Sequence, residues 1–172
     1  MTKPFASNPL SAALFAIGVA LPLAAASAEL PGPIAAPGEA VVARLHAEGA
    51  QVYECRPTSS GQLVWQFREP VATLFDGGKT VGRHYAGPHW ELADGSLIAA
   101  TVSGRAAGAT PLDIPLLKLE VTTRRGSGLL TDVATVQRIN TRGGVAEGAC
   151  QSAGAFLSVP YAADYVFLKK LP

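Results

Sequence analysis

From Leu63 to Lys169 the chain is a succession of short runs rich in β-branched, aromatic and leucine residues, each closed by turn formers. The runs are LVWQF (63–67), VATLF (71–75), TVGRHY (80–85), HWEL (89–92), SLIAATV (96–102), LLKLEVTT (116–123), VATVQRI (133–139) and YVFLK (165–169). Between them lie RPTSSGQ, DGGK, ADGS, SGRAAGATP, RRGSGL and NTRGG, and none of these connections carries an apolar period of helical length. Strands this short and this closely spaced predict an all-β fold, a single-domain antiparallel β-sandwich or barrel with little helix.

The stretch before them is less decisive. In EAVVARLHAEGAQVYEC, Val41, Val42 and Leu45 fit a helical face, while Val41, Ala43, Leu45 and Ala47 fit strict alternation. Either a strand or a short helix entering a strand at Gln51 satisfies that pattern. ELPGPIAAPG (29–38) holds three prolines and two glycines, so it reads as an extended leader on the surface or free in solvent. Further upstream, Lys3, an apolar run from Leu10 to Ala26 and the small residues Ala26 and Ala28 have the form of a secretory signal peptide cut after Ala28. The expected organisation is therefore a signal peptide at 1–28, a leader at 29–38 and a β domain at 39–172. No later window offers the apolar length of a membrane-spanning helix.

Lys3 is the only charged residue of the removed segment, leaving 13 basic against 13 acidic residues. A neutral chain lacks the electrostatic drive for binding nucleic acid or anionic lipid, so neither is an expected partner. Periplasmic or secreted localisation also bears on the two cysteines, Cys55 and Cys150. An even count in an oxidising compartment predicts one disulfide, and the pair lacks the close Cys-x-x-Cys spacing of a zinc site.

HYAGPHWELADGS (84–96) has the densest chemistry in the chain. With Gly87-Pro88 as a two-residue hairpin loop, Tyr85 faces Trp90 and His84 faces Glu91. A second hairpin at Asp94-Gly95 then places Leu92 opposite Leu97. Tyr85, Trp90, Leu92, Leu97 and Ala99 would share the core side, and His84, His89 and Glu91 the other. Two imidazoles and a carboxylate are ordinary ligands for zinc, copper or iron, so this triad is a candidate metal site. The structural alternative has His84 bonded to Glu91 across the strands while Trp90 anchors the core. No fourth ligand is evident nearby, and no cofactor is otherwise expected.

Other fragments lead nowhere. GKT (78–80) lacks the first glycine of a phosphate loop, where Thr73 stands, and no G-x-S-x-G elbow surrounds any serine. Single acids such as Asp94, Asp113, Asp132 and Asp164 sit beside turns, where acids commonly form the turn itself.

The spaced set YEC (53–55), GPHWELADGS (87–96), IP (114–115), QRINTRGG (137–144), Cys150 and VPYAADYVF (159–167) resembles the DUF3455 family of bacterial and fungal, often secreted, proteins. The resemblance runs from about Gln51 to Leu168. It implies no assigned activity. Dehydrogenase labels carried by some members find no counterpart here, because there is no G-x-G-x-x-G and no βαβ alternation. Within the set, VPYAADYVF reads as a final strand with Tyr161, Tyr165 and Phe167 on one face. Arg138 and Asn140 are polar exceptions that can line a ligand pocket. Two functions remain open: a non-catalytic, disulfide-stapled module that binds an envelope or extracellular ligand or partner, and a metal-binding protein or metal-dependent enzyme using His84, His89 and Glu91.

Overall fold

The computed structural model describes Met1 and residues 29–172. The expected signal peptide falls on residues 1–28 and, beyond Met1, lies outside the described residues. From Glu39 onward the chain forms one antiparallel sheet of eight strands: β1 (Glu39–Pro57), β2 (Leu63–Asp76), β3 (Lys79–Tyr85), β4 (His89–Leu92), β5 (Leu97–Ala106), β6 (Leu116–Arg125), β7 (Thr135–Gly143) and β8 (Phe156–Lys170). Each strand bonds to the next in sequence, and β8 returns to β1, so the sheet closes into an up-and-down barrel. The expected all-β class holds, with the barrel as its form. Closure removes the exposed strand edges that an open sheet would have to protect.

The ambiguous segment is strand throughout, paired from Glu39 to Glu54 with β8 and from His46 to Pro57 with β2. The runs at 63–67 and 71–75 belong to one strand. Tyr53 pairs with Phe67 and Val52 with Glu69, so Arg68 is the extra residue of a bulge. A bulge in a long strand interrupts the alternation and so reads in sequence like a break between two short strands. The last strand alternates as expected, with Tyr161, Tyr165 and Phe167 all buried in the main core.

Eight strands leave an interior just wide enough to be filled by side chains or to hold one small ligand. This barrel is filled at one end and keeps a cavity at the other. One end is filled by Leu45, Leu74, Leu130, Val133 and Phe167, all essentially inaccessible. Leu130 and Val133 come from the β6–β7 loop, which folds under the barrel as a plug. The turn after β4 holds that plug in place. Asp94 accepts hydrogen bonds from the Leu129 amide (2.7 Å) and from the amide and hydroxyl of Ser96, while the Ser96 hydroxyl accepts from the Leu130 amide. The Leu129 and Leu130 amides of the plug are thereby both satisfied, the first at the surface and the second where it is buried.

Nor is the leader free. Gly32–Ile34 forms a single 3₁₀ turn, and Ile34 is wholly buried against Ile139, Val166 and Leu168 on the outside of the barrel. Its carbonyl accepts a 2.6 Å hydrogen bond from the Gln137 side chain. Gly104 of β5 makes room for this docking, since a Cβ there would stand 2.0 Å from the Pro33 carbonyl oxygen. Thus an outer barrel face that strand periodicity alone assigns to solvent is covered by the chain's own leader.

Candidate functional site

The end of the barrel opposite the plug holds a cavity of about 350 Å³. All eight strands contribute to its wall, and Phe67, 55% exposed, stands on the rim. Below the rim the wall is Trp90, Ile114, Leu117, Leu119 and Tyr165, with Val102 on the β5 side. A concave, mainly apolar wall carrying few polar groups is the usual form of a small-molecule site, and the volume is at the small end of that range.

Two long loops shape the mouth. The β7–β8 loop is pinned to the β1–β2 end by the disulfide Cys55–Cys150, whose Cα atoms are 5.9 Å apart. Backbone bonds reinforce the staple, from the Trp65 amide to the Gly148 carbonyl and from the Cys55 amide to that of Ala155. The same loop meets the β5–β6 loop across the opening. Ile114 donates its amide to the Gly143 carbonyl (2.9 Å), and the Gly143 amide donates to the Asp113 carboxylate (2.6 Å). Gly144 then turns inward at φ +89°, packed against Ile114, Tyr161 and Gln51, and its carbonyl accepts the Tyr53 hydroxyl at 2.6 Å. A side chain at 144 would be both strained and crowded, so this glycine is required by the closure of the mouth.

Trp90 and His84 form the inner wall. Their rings stack with centroids 4.6 Å apart, and Tyr165 meets both, at 5.3 Å and 4.9 Å. Burial pushes the His84 imidazole down to about 3, and the nearby Arg138 charge adds to the effect, outweighing the carbonyl of His89 that bonds Nδ1 at 2.8 Å. The ring is therefore neutral, with Nδ1 as the donor to that carbonyl. Burial likewise raises the Tyr161 and Tyr165 phenols, whose oxygens are 3.4 Å apart. Arg138, half-buried on β7, completes the polar part of the wall. It donates Nε and Nη2 to the Pro115 carbonyl at 3.1 and 2.9 Å.

The expected metal triad is not assembled. His84 pairs with Trp90, Tyr85 with His89 and Arg83 with Glu91, so the loop is Ala86-Gly87-Pro88, one residue longer than the two-residue turn that Gly87-Pro88 suggests. One residue of loop reverses the relative parity of the two strands. His84 joins Trp90 inside, while His89 and Glu91 lie on the outer face with Tyr85. There His89 stacks on Tyr85, and Glu91 accepts Arg83 at 2.8 Å and the Tyr85 hydroxyl at 3.1 Å. The Arg83 guanidinium holds the Glu91 carboxyl below its usual range. The second turn shifts in the same way. Trp90 pairs with Ile98 and Glu91 with Leu97, so Ile98 and not Leu97 packs inside. Among the described residues no group of three His, Cys, Asp or Glu side chains is placed to hold a metal ion.

Of the two polar candidates near the end of β7, the structure brings only Arg138 to the cavity. Asn140, in the left-handed region at φ 52°, is exposed on the outside and donates to Asp164 at 2.7 Å. Sequence reasoning missed Gln51, Tyr53 and Leu117 as wall residues. The available signal was their inward parity in β1 and β6, which carries meaning only once the barrel is closed.

Tyr53, Gly87, Pro88, Trp90, Ile114, Pro115, Arg138, Gly144, Tyr161 and Tyr165 all belong to the spaced signature that runs from YEC to VPYAADYVF, and all lie on the cavity or at its closure. No curated protein and no solved structure matches the chain. A family model described as a protein of unknown function (DUF3455) matches residues 36–169, and the chain belongs to that family.

Proposed function

We propose that this protein is a secreted or periplasmic, disulfide-stapled β module that binds a small, largely apolar molecule in the open half of its barrel and does not transform it. The observation that carries the reading is the 350 Å³ cavity with its apolar and aromatic wall, set above a plugged lower half. A core packed for stability alone fills such a space, because voids forfeit contacts on every side. The amino-terminal signal pattern and the disulfide support export. Against catalysis stands the chemistry of the wall. Among the described residues lining it there is no carboxylate, cysteine, serine or threonine, and His84 is held neutral with Nδ1 committed to a backbone carbonyl. General acid–base work needs a group whose pKa lies near the working pH, and nucleophilic work needs an activated nucleophile.

The test is a calorimetric titration of the disulfide-intact protein with neutral apolar probes, octanol and naphthol. Saturable one-to-one binding is expected, and it should be lost in Leu117→Trp, which fills the wall. Absence of saturable binding by these probes and by their carboxylate counterparts, octanoate and naphthoate, overturns the reading.

A further inference from the structure

The charged side chains that line this cavity have one sign. Arg68, Arg105 and Arg138 line it, and among the described residues lining it there is no aspartate or glutamate, although the chain as a whole is nearly balanced at +1. Arg68 is offset by Glu69 at 3.0 Å and Glu54 at 3.5 Å on the rim. Arg105 and Arg138 have no carboxylate partner among the described residues. Arg138 is the deeper of the two and the more telling. Its guanidinium carries five N–H donors, and its protein partners are the Pro115 carbonyl and the neighbouring Tyr165 hydroxyl, neither of them a counter-charge, which leaves further N–H donors for something else. A cation withdrawn from water is costly without a counter-charge.

The two unpartnered buried groups of the cavity wall point the same way. The Trp90 indole nitrogen and the Gln51 amide nitrogen are buried and have no partner. Both are donors. A wall whose buried unpartnered nitrogens are both donors, beside a cation with no carboxylate partner, is complementary to an acceptor-rich anion. The apolar part of the wall includes Ile114, Leu117, Leu119 and Phe67, which no inorganic ion would cover.

We infer that the ligand of this cavity is a small organic anion, a carboxylate with an apolar body, its carboxylate held by Arg138 and its body packed against Ile114, Leu117 and Leu119. This rests on the reading of the cavity as a binding site. A fork of guanidinium N–H groups matches the two oxygens of a carboxylate, and the low-dielectric surroundings strengthen the pair. Inorganic phosphate shares the charge but leaves the apolar wall unfilled.

The experiment compares matched probes, octanoate against octanol and naphthoate against naphthol, with inorganic phosphate as the charge-only control. It is run on the intact protein and on Arg138→Met and Arg138→Lys. On the unmodified chain each carboxylate should bind at least about tenfold more tightly than its alcohol, the range that one charge-assisted hydrogen-bonded pair provides. Arg138→Met, which keeps the apolar stem, should weaken carboxylate binding at least about tenfold more than alcohol binding and so abolish that preference. Arg138→Lys should retain part of it. Equal affinity for acid and alcohol overturns the anion assignment and leaves the cavity reading standing. So does a preference that survives in Arg138→Met, or phosphate that competes with naphthoate at equal concentration. Binding of neither acid nor alcohol removes both readings together. The comparison on the unmodified chain decides the anion assignment whether or not the methionine variant folds.

Discussion

His84 lies flat against Trp90, with 15° between the ring planes and 4.6 Å between centroids, and both rings are buried inside the barrel. The pair is a consequence of register, because β3 and β4 place these two residues opposite each other across a three-residue loop. It also sets the electrostatic state of the inner wall. A charged imidazole there would be desolvated and would face the Arg138 cation, so the neutral ring is the one the fold accommodates.

That neutrality makes stability depend on pH in a defined direction. The folded His84 titrates at about 3, below the ordinary value of 6.5, so the unfolded chain takes up the proton first. The stability linked to this ring is fully present above pH 6.5 and falls as the pH drops from there toward 3. The slope approaches about 1.4 kcal/mol per pH unit within that window. Urea midpoints should fall between pH 6.5 and 4.5, before carboxylates such as Asp94 and Asp113 begin to add their own loss. His84→Phe should flatten this part of the profile. An unchanged slope in that variant would remove the assignment.

Trp90 is the largest side chain with no exposure, and it makes edge contacts with Tyr165 and Phe167 as well as the stack on His84. Trp90→Ala should cost about 3–5 kcal/mol through the cavity it leaves, read from urea denaturation at pH 7. On the opposite face of the same strand, His89→Ala removes only a stack on Tyr85 and a bond to the Ala86 carbonyl, and should cost less than about 1 kcal/mol. Similar losses in the two variants would contradict the inside and outside assignment of β4.

How far the sequence reaches is clear from this same hairpin. Strand identity was legible from β-rich runs and turn residues, and the alternation of Tyr161, Tyr165 and Phe167 reports a real inner face. Sidedness across a turn was not, because it hangs on loop length. Gly87-Pro88 suggests a two-residue turn, yet Ala86 joins the loop, and that one residue moves His84 inward and separates it from His89 and Glu91. The cavity was beyond reach for a different reason. Its wall takes residues from all eight strands, brought together only by the pairing of β1 with β8, a contact between opposite ends of the domain. Arg138 stood out as a polar residue in an apolar strand, and nothing local separated it from Asn140 two positions later.

The disulfide should contribute to both stability and the shape of the mouth. Cys55 and Cys150 are 95 residues apart, and closing a loop of that length restricts the unfolded chain by about 4–5 kcal/mol on the chain-entropy model. Replacing both cysteines by serine should lower the urea midpoint accordingly. Hydrogen exchange at the Trp65 and Cys55 amides should accelerate more than at the β6–β7 plug, since those amides are bonded to the stapled loop. Equal acceleration at both ends of the barrel would show that the staple acts globally and not on the mouth.

The leader supplies the last prediction. Ile34 is wholly buried, although it sits in a proline- and glycine-rich stretch that by composition belongs to solvent. It covers Ile139, Val166 and Leu168, residues whose side chains point away from the barrel interior and would otherwise form an apolar patch on its outer surface. The Gln137 side chain, buried beside it, depends on the Ile34 carbonyl for its hydrogen bond. Ile34→Ala should therefore cost about 2–4 kcal/mol, the range for truncating a buried isoleucine, a large effect for a residue outside every strand. Ile34→Asp should cost more, because a carboxylate in that position is buried without a partner. Binding of the probe molecules should be unaffected in Ile34→Ala at temperatures where the variant is folded, because the leader docks outside the barrel and the cavity lies within. A stability loss below about 0.5 kcal/mol, the range of ordinary surface substitutions, would mean that the leader does not dock as described.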